Sequence, residues 1–222
     1  MPRVARIVMP GVPHHITQRG NNRQDVFFTD DHRRVYLDFL KQYSEQFGLA
    51  IHAYCLMTNH VHLVATPPSG EALAKAVGRT NFRYAQKLNR VMKWSGHLWQ
   101  NRFASCALEE VHFWRAMRYV ERNPIRAGSV RVAWRYEWSS AAAHVSGVDP
   151  TGLLEMKEWG RQWKPERWKE ALRDPDDEWR ELVCASTRTG RPLGGDGFVG
   201  EVERRLERRV RALAVGRPKK AK

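Results

Sequence analysis

The spacing of apolar residues changes several times between the N-terminus and about residue 122, and each change marks a predicted element. His15 to Arg19 reads as a short strand that enters a polar loop, Gly20-Asn21-Asn22-Arg23. Thr29 or Asp30 is placed to cap a helix reaching about Phe47. Its Val35, Leu37, Phe39, Leu40, Tyr43 and Phe47 follow a helical period, and Gly48 suits its end. Leu49 to Met57 and His60 to Thr66 are strand-like runs separated by Thr58-Asn59, which predicts a hairpin. Glu71 to about Lys93 predicts a long helix with Leu73, Val77, Phe82, Ala85, Leu88 and Met92 on one broad face. Arg102 to Leu108 is a further strand, and Glu109 or Glu110 to Arg122 a further helix. Pro124 disfavours helical backbone at Asn123, so that helix is expected to close there.

The order β-α-β-β-α-β-α predicts an α+β domain: a ferredoxin-like, RRM-like antiparallel sheet with helices on one face. The domain is expected to span 1–146, with Ser146-Gly147-Val148-Asp149-Pro150 as the start of a linker. Residues 147–187 are Trp- and charge-rich and predict helical pieces behind that linker. Residues 188–222 hold 11 Lys or Arg against 4 acids, net +7. They read as a basic C-terminal DNA-binding segment with a helix at Glu201 to Leu213.

Charge changes the picture next. The chain has 38 Lys plus Arg against 24 acids, a formal net charge of +14, which favours polyanionic partners. Nine tryptophans are also present, several beside basic residues. They suit either stacking on unpaired bases or core packing. No apolar run approaches the ~20 residues of a membrane span. The expectation is a cytoplasmic, nucleoid-associated protein with no membrane partner. The three cysteines, Cys55, Cys106 and Cys184, form no CxxC pair, so neither a zinc knuckle nor a disulfide framework is indicated.

Two local patterns carry candidate chemistry. On a strand, His60 and His62 share a face, and two imidazoles there can converge on one divalent ion. On a helix, Tyr119 and Asn123 share a face near its C-terminal end. Either pattern alone is commonplace. Together, two ring nitrogens and an amide oxygen leave coordination positions on a hard or borderline cation for phosphate oxygens. A phenol near its ordinary pKa of ~10 is a poor nucleophile at neutral pH. It needs a polarised phosphorus and nearby cations, and Arg115, Arg118 and Arg122 are close in sequence. Attack by Tyr119 would leave a 5′-phosphotyrosine and a free 3′-OH, which a second strand can reverse.

At this point the chain resembles the single-tyrosine HUH transposases, and most closely their REP-associated tyrosine transposase branch, over about residues 5–145. The resemblance rests on Pro10-Gly11 with His15-Ile16-Thr17 and Arg19-Gly20-Asn21-Asn22-Arg23, and on Tyr54 to Leu63 around His60-Val61-His62. It rests also on Leu98-Trp99-Gln100-Asn101-Arg102-Phe103 and on Tyr119-Val120-Glu121-Arg122-Asn123-Pro124. It implies Tyr119 as nucleophile, and His60, His62 and Asn123 as ligands of Mg²⁺ or Mn²⁺. It implies single-stranded DNA with hairpins, the REP-like palindromes, as partner. It does not choose between monomer and homodimer.

Arg19, Asn21, Asn22, Arg23, Trp99, Asn101, Arg102 and Arg122 are candidate DNA contacts, and Phe103 is a core candidate. Arg217 sits in Gly216-Arg217-Pro218, which is similar to an AT-hook core and equally suits a solvated basic tail. One of His14 and His15 could approach the metal, but a surface role is the expectation for both. Glu121, two residues from Tyr119, is expected to face elsewhere. Two other readings compete: a non-catalytic nucleic-acid binder on the same fold, and a metal-dependent hydrolase that activates water and has no use for Tyr119.

Overall fold

A computed structural model describes residues 5–175 and 177–212. Four strands, β1 (His14–Arg19), β2 (Ala50–Met57), β3 (His60–Thr66) and β4 (Ala104–Ala107), form one sheet in the order β2-β3-β1-β4. Every pairing is antiparallel. Helix α1 (Asp30–Phe47) joins β1 to β2, and α2 (Ala72–Met92) joins β3 to β4. This is the predicted α+β, ferredoxin-like order.

Local chemistry sets these boundaries. Thr29 caps α1 by accepting the His32 N–H, and Gly48 ends it in the left-handed region at φ 64°. Gly20 closes β1 because a side chain there would collide with the Gln24 carbonyl, 2.2 Å from where its Cβ would stand. The α1 and α2 stripes bury Tyr36, Leu40, Leu73, Val77, Tyr84 and Leu88 against Ile16, Leu56, Val61 and Leu63 of the sheet. The expected helices on one face are therefore present.

The opposite face is covered as well. Helix α3 (Glu110–Glu121) lies there, followed without a break by the short α4 (Asn123–Arg126). Helix α3 closes where expected, with Arg122 as its cap, and α4 is a new short helix. Pro124 occupies the first turn of α4, where the missing N–H costs nothing, and the chain turns at Arg122 rather than stopping. The remaining helices are α5 (Ala141–Ser146), α6 (Met156–Gln162), α7 (Pro165–Ala171), α8 (Asp177–Thr189) and α9 (Asp196–Leu206).

The Trp-rich helical extension expected within 147–187 packs against the sheet and α3. Trp159, Trp168, Leu172, Trp179 and Val183 share one core with Cys55, Met57, Val64, Cys106, Phe113 and Val120. Three of the nine tryptophans thus form this second core rather than a stacking surface. Asp149 fixes the segment after α5 by accepting the backbone N–H groups of Thr151, Leu153 and Leu154. Helix α9 begins five residues before the predicted basic helix and stops at Leu206, because Glu207 adopts φ 50°. It packs its Val202 on Ile7, Met9 and Ala107. Leu213 and Arg217 lie outside the described residues. Among the described residues no helix is long and apolar enough to cross a membrane.

Candidate active site

The sheet face under α3 carries the histidine pair. Antiparallel register sets Thr17 opposite His62 and Arg19 opposite His60, so alternate residues of β1 and β3 share that face. The His60 and His62 rings stand 5.0 Å apart, centroid to centroid. Each ring holds its Nδ1 by a hydrogen bond, His60 with Asn59 Oδ1 at 2.6 Å and His62 with His15 Nε2 at 3.0 Å. Among the described residues neither Nε2 has a protein partner. Burial, with the nearby Arg19 charge, lowers the His60 pKa to about 4. Burial also lowers His62 well below its ordinary value, reinforced by His60, His15, Arg126 and Arg19. Both rings are therefore neutral at pH 7 and hold a lone pair for a cation.

Helix α3 brings Tyr119 onto this face. Its ring lies edge-on to both His15 and His62, at 5.6 and 5.7 Å, and against Trp179 of α8 at 5.8 Å. The phenol is only 8% exposed, and its hydroxyl is hydrogen-bonded to Cys184 Sγ at 3.3 Å. Burial raises its pKa above the ordinary value, and the Cys184 contact adds to this, while Arg126 and Arg180 oppose it. The Arg126 guanidinium sits 4.1 Å above the phenol ring and donates to the Tyr119 carbonyl.

Asn123 turns its Nδ2 back to the carbonyls of Tyr119 and Val120, at 3.1 and 3.2 Å. Those carbonyls end α3 and need donors. The bond fixes the amide so that its Oδ1 is the atom left for other partners. His60, His62, Tyr119 and Asn123 all line one cavity of about 1000 Å³. Among the described residues no group of three His, Cys, Asp or Glu side chains is placed to hold a metal. The Asn123 amide lines the same cavity as the two histidines. Two neutral imidazoles and an amide oxygen are donors of the kinds divalent cations accept.

The cavity wall is strongly cationic. Arg19, Arg23, Arg102, Arg126, Arg180 and Arg188 line it, and no acidic side chain among the described residues does. Asn101 lines it too. Asn21 and Asn22 form the turn beside it, with Asn22 at φ 50° and Arg23 at φ 61°. Trp99 is anchored in the first core, its Nε1 donating to the Asn81 carbonyl, so it is not a free stacking platform. Phe103 is buried, as a core residue should be. Arg122 is a correction: it is buried and donates to the Leu172 carbonyl, away from the cavity. It caps the C-terminal end of α3, where the chain turns, and so does not share the Tyr119 face.

His14 and His15 are corrected as well. Both are buried, because β1 is an interior strand with helices on both faces of the sheet. Sequence reasoning missed Arg126, Arg180, Cys184, Thr187 and Arg188. Arg126 follows Tyr119 by seven residues, two helical turns, which is a usable signal. Arg180, Cys184, Thr187 and Arg188 share one face of α8 by the same periodicity, but nothing local says which element they will meet. Glu121 does face elsewhere. It is buried and accepts from Ser140, His144 and Trp168.

Comparison with known proteins bears on the fold and the family. A solved REP-associated tyrosine transposase bound to a REP hairpin has 18% identity, covers 68% of this chain and 90% of its own, and superposes with a TM-score of 0.54. It shares the fold. A Deinococcus radiodurans protein described as a candidate transposase has 20% identity over 55% of this chain and 97% of its own, with a TM-score of 0.38. No curated protein sequence matches. The family model for IS200-like transposases matches residues 10–123, about half the chain, which spans the histidine pair, the tyrosine and the asparagine. This protein belongs to the IS200-like transposase family.

Proposed function

We propose that this chain is a metal-dependent single-strand DNA endonuclease and strand transferase, with Tyr119 as nucleophile and hairpin-bearing, REP-like DNA as substrate. One observation carries the reading: the phenol ring of Tyr119 packs edge-on against His62 in a cavity walled by arginines. A water-activating hydrolase or a passive binder has no use for a tyrosine held there. The solved transposase that shares this fold is itself bound to a REP hairpin, which supports the choice of substrate.

His60, His62 and Asn123 would hold Mg²⁺ or Mn²⁺. When bound, the ion supplies positive charge at the scissile phosphate. The chain's own residues do the rest. Arg19, Arg23 and Arg102 stand where backbone phosphates of an entering strand need neutralising. Tyr119 Oη forms the new bond to phosphorus as the bond to O3′ breaks. The phenol loses one proton and O3′ gains one, so charge and atoms balance. Arg126 and Arg180 favour the phenolate and oppose the burial that disfavours it. The product is a 5′-phosphotyrosine and a free 3′-OH, and a second 3′-OH attacks that ester to complete transfer.

The test is incubation of labelled single-stranded hairpin DNA with Mg²⁺ or Mn²⁺, read on a denaturing gel. A covalent adduct forms with the wild-type chain and is absent with Tyr119→Phe, which still binds the hairpin. An adduct that survives the substitution removes Tyr119 from the role.

A further inference from the structure

Helix α8 lies outside the residues the family model matches, yet it reaches the sheet beneath the cavity. There, four buried side chains form an unbroken line. His62 Nδ1 meets His15 Nε2 at 3.0 Å, His15 Nδ1 meets Thr187 Oγ1 at 2.7 Å, and Thr187 Oγ1 meets Cys106 Sγ at 3.2 Å. We infer that His15 and Thr187 are positioning residues: through this line the C-terminal extension fixes the His62 tautomer that leaves Nε2 free to accept a divalent cation.

The argument is proton counting. Each junction holds one hydrogen, and a neutral imidazole has one N–H and one lone pair. Only two fillings satisfy the whole line. In the first, His62 Nδ1–H donates to His15 Nε2, His15 Nδ1–H donates to Thr187 Oγ1, and the Thr187 hydroxyl donates to Cys106. His62 Nε2 is then a bare lone pair. In the second, every donor reverses and His62 Nε2 carries the hydrogen, which blocks ligation. The first fits the cavity: Nε2 of His62 has no protein acceptor among the described residues. A hydroxyl is well suited to the far end, since it accepts from His15 and still places its own hydrogen on the weakly accepting thiol. Ligating histidines generally take their orientation from such a partner on the other nitrogen. Here the partner is a third histidine, set in turn by a threonine 172 residues away.

Thr187→Val keeps the shape and removes the acceptor. The buried Nδ1–H of His15 then has no partner, so its hydrogen moves to Nε2. His15 now donates to His62 Nδ1, and the His62 hydrogen moves to Nε2. Thr187→Ser retains the hydroxyl and should restore the first filling.

This inference rests on the metal-site reading above, and two measurements on the full chain separate their failures. Long-range ¹H–¹⁵N correlation of histidine-labelled, metal-free protein reads the tautomer directly. The expected result is Nδ1–H at His62 in wild type and Thr187→Ser, and Nε2–H in Thr187→Val. Wild-type His62 as Nε2–H overturns the inference, even if the valine variant fails to fold. Calorimetric titration with Mn²⁺ alone should give a dissociation constant ~10–100-fold weaker for Thr187→Val and near wild type for Thr187→Ser. Equal affinity in all three overturns the relay and leaves the metal site standing. A wild-type chain that takes up no Mn²⁺ overturns the metal site and the relay together.

Discussion

Glu121 offers a sharp energetic test of how the extension is tied to the catalytic helix. Its carboxylate is fully buried at the C-terminal end of α3. Oε1 accepts from Ser140 Oγ and from His144 Nδ1, each at 2.5 Å, and Oε2 accepts from Trp168 Nε1 at 2.8 Å. One side chain thus joins α3 to the turn before α5, to α5 and to α7. Glu121→Ala strands three buried donors at about 1–3 kcal/mol each. Some of that is recovered because a buried carboxylate no longer has to be desolvated. The expected net loss is roughly 4 kcal/mol, a large share of the ~5–15 kcal/mol typical of a folded domain. Glu121→Gln keeps the volume but points an NH₂ at one of the donors, so about 2 kcal/mol is expected. Urea unfolding followed by tryptophan fluorescence reads both, since Trp168 is a member of the network. An unchanged slope with a lowered midpoint marks a true stability change. A loss below about 1 kcal/mol for the alanine variant would refute the reasoning, because surface substitutions cost that little.

Other predictions concern the site and the charge. Cys184 is exposed while Cys55 and Cys106 are buried, so a maleimide should label Cys184 alone. The added group would sit beside Tyr119 Oη and reduce adduct formation on the order of 10²-fold, as ~1 Å misplacements do. Cys184→Ser protein must lose that sensitivity, and adduct yield unaffected by full labelling would exclude it. Burial, with the His144 charge, lowers His52 from 6.5 to about 4, so between those values the unfolded chain holds the extra proton. Stability should then fall as pH drops from 6.5 towards 4, by roughly 3 kcal/mol from this residue. His52→Gln should flatten that part of a melting-temperature profile; an identical slope would count against it. Residues 213–222 carry four Lys or Arg and no acid. Removing them should lower the slope of log K against log salt for single-stranded DNA by up to about 3, at ~0.7 per phosphate contact. An unaltered slope would mean the tail does not touch DNA.

The sequence by itself determined the scaffold and the short-range chemistry. Strand alternation put His60 and His62 on one face, and helical spacing paired Tyr119 with Asn123. Thr29, Gly48 and the hairpin at Thr58-Asn59 set the element order. These features are local, because their period and caps are written within a few residues. The register of strands far apart in the chain is not. It sets β1 in the centre of the sheet, and so turned His15 from an expected surface residue into the partner of His62. Nor does α8 announce its partner: its amphipathic face states that something will be buried, and not what. Only packing of the second core brought Cys184 to Tyr119, Thr187 to His15 and Arg180 to the cavity. It also turned Arg122 towards Leu172, because α3 ends at Glu121 and helical spacing from Tyr119 no longer applies there. Contacts between residues 50 to 172 positions apart depend on many summed packing terms, and no single stretch of sequence contains them.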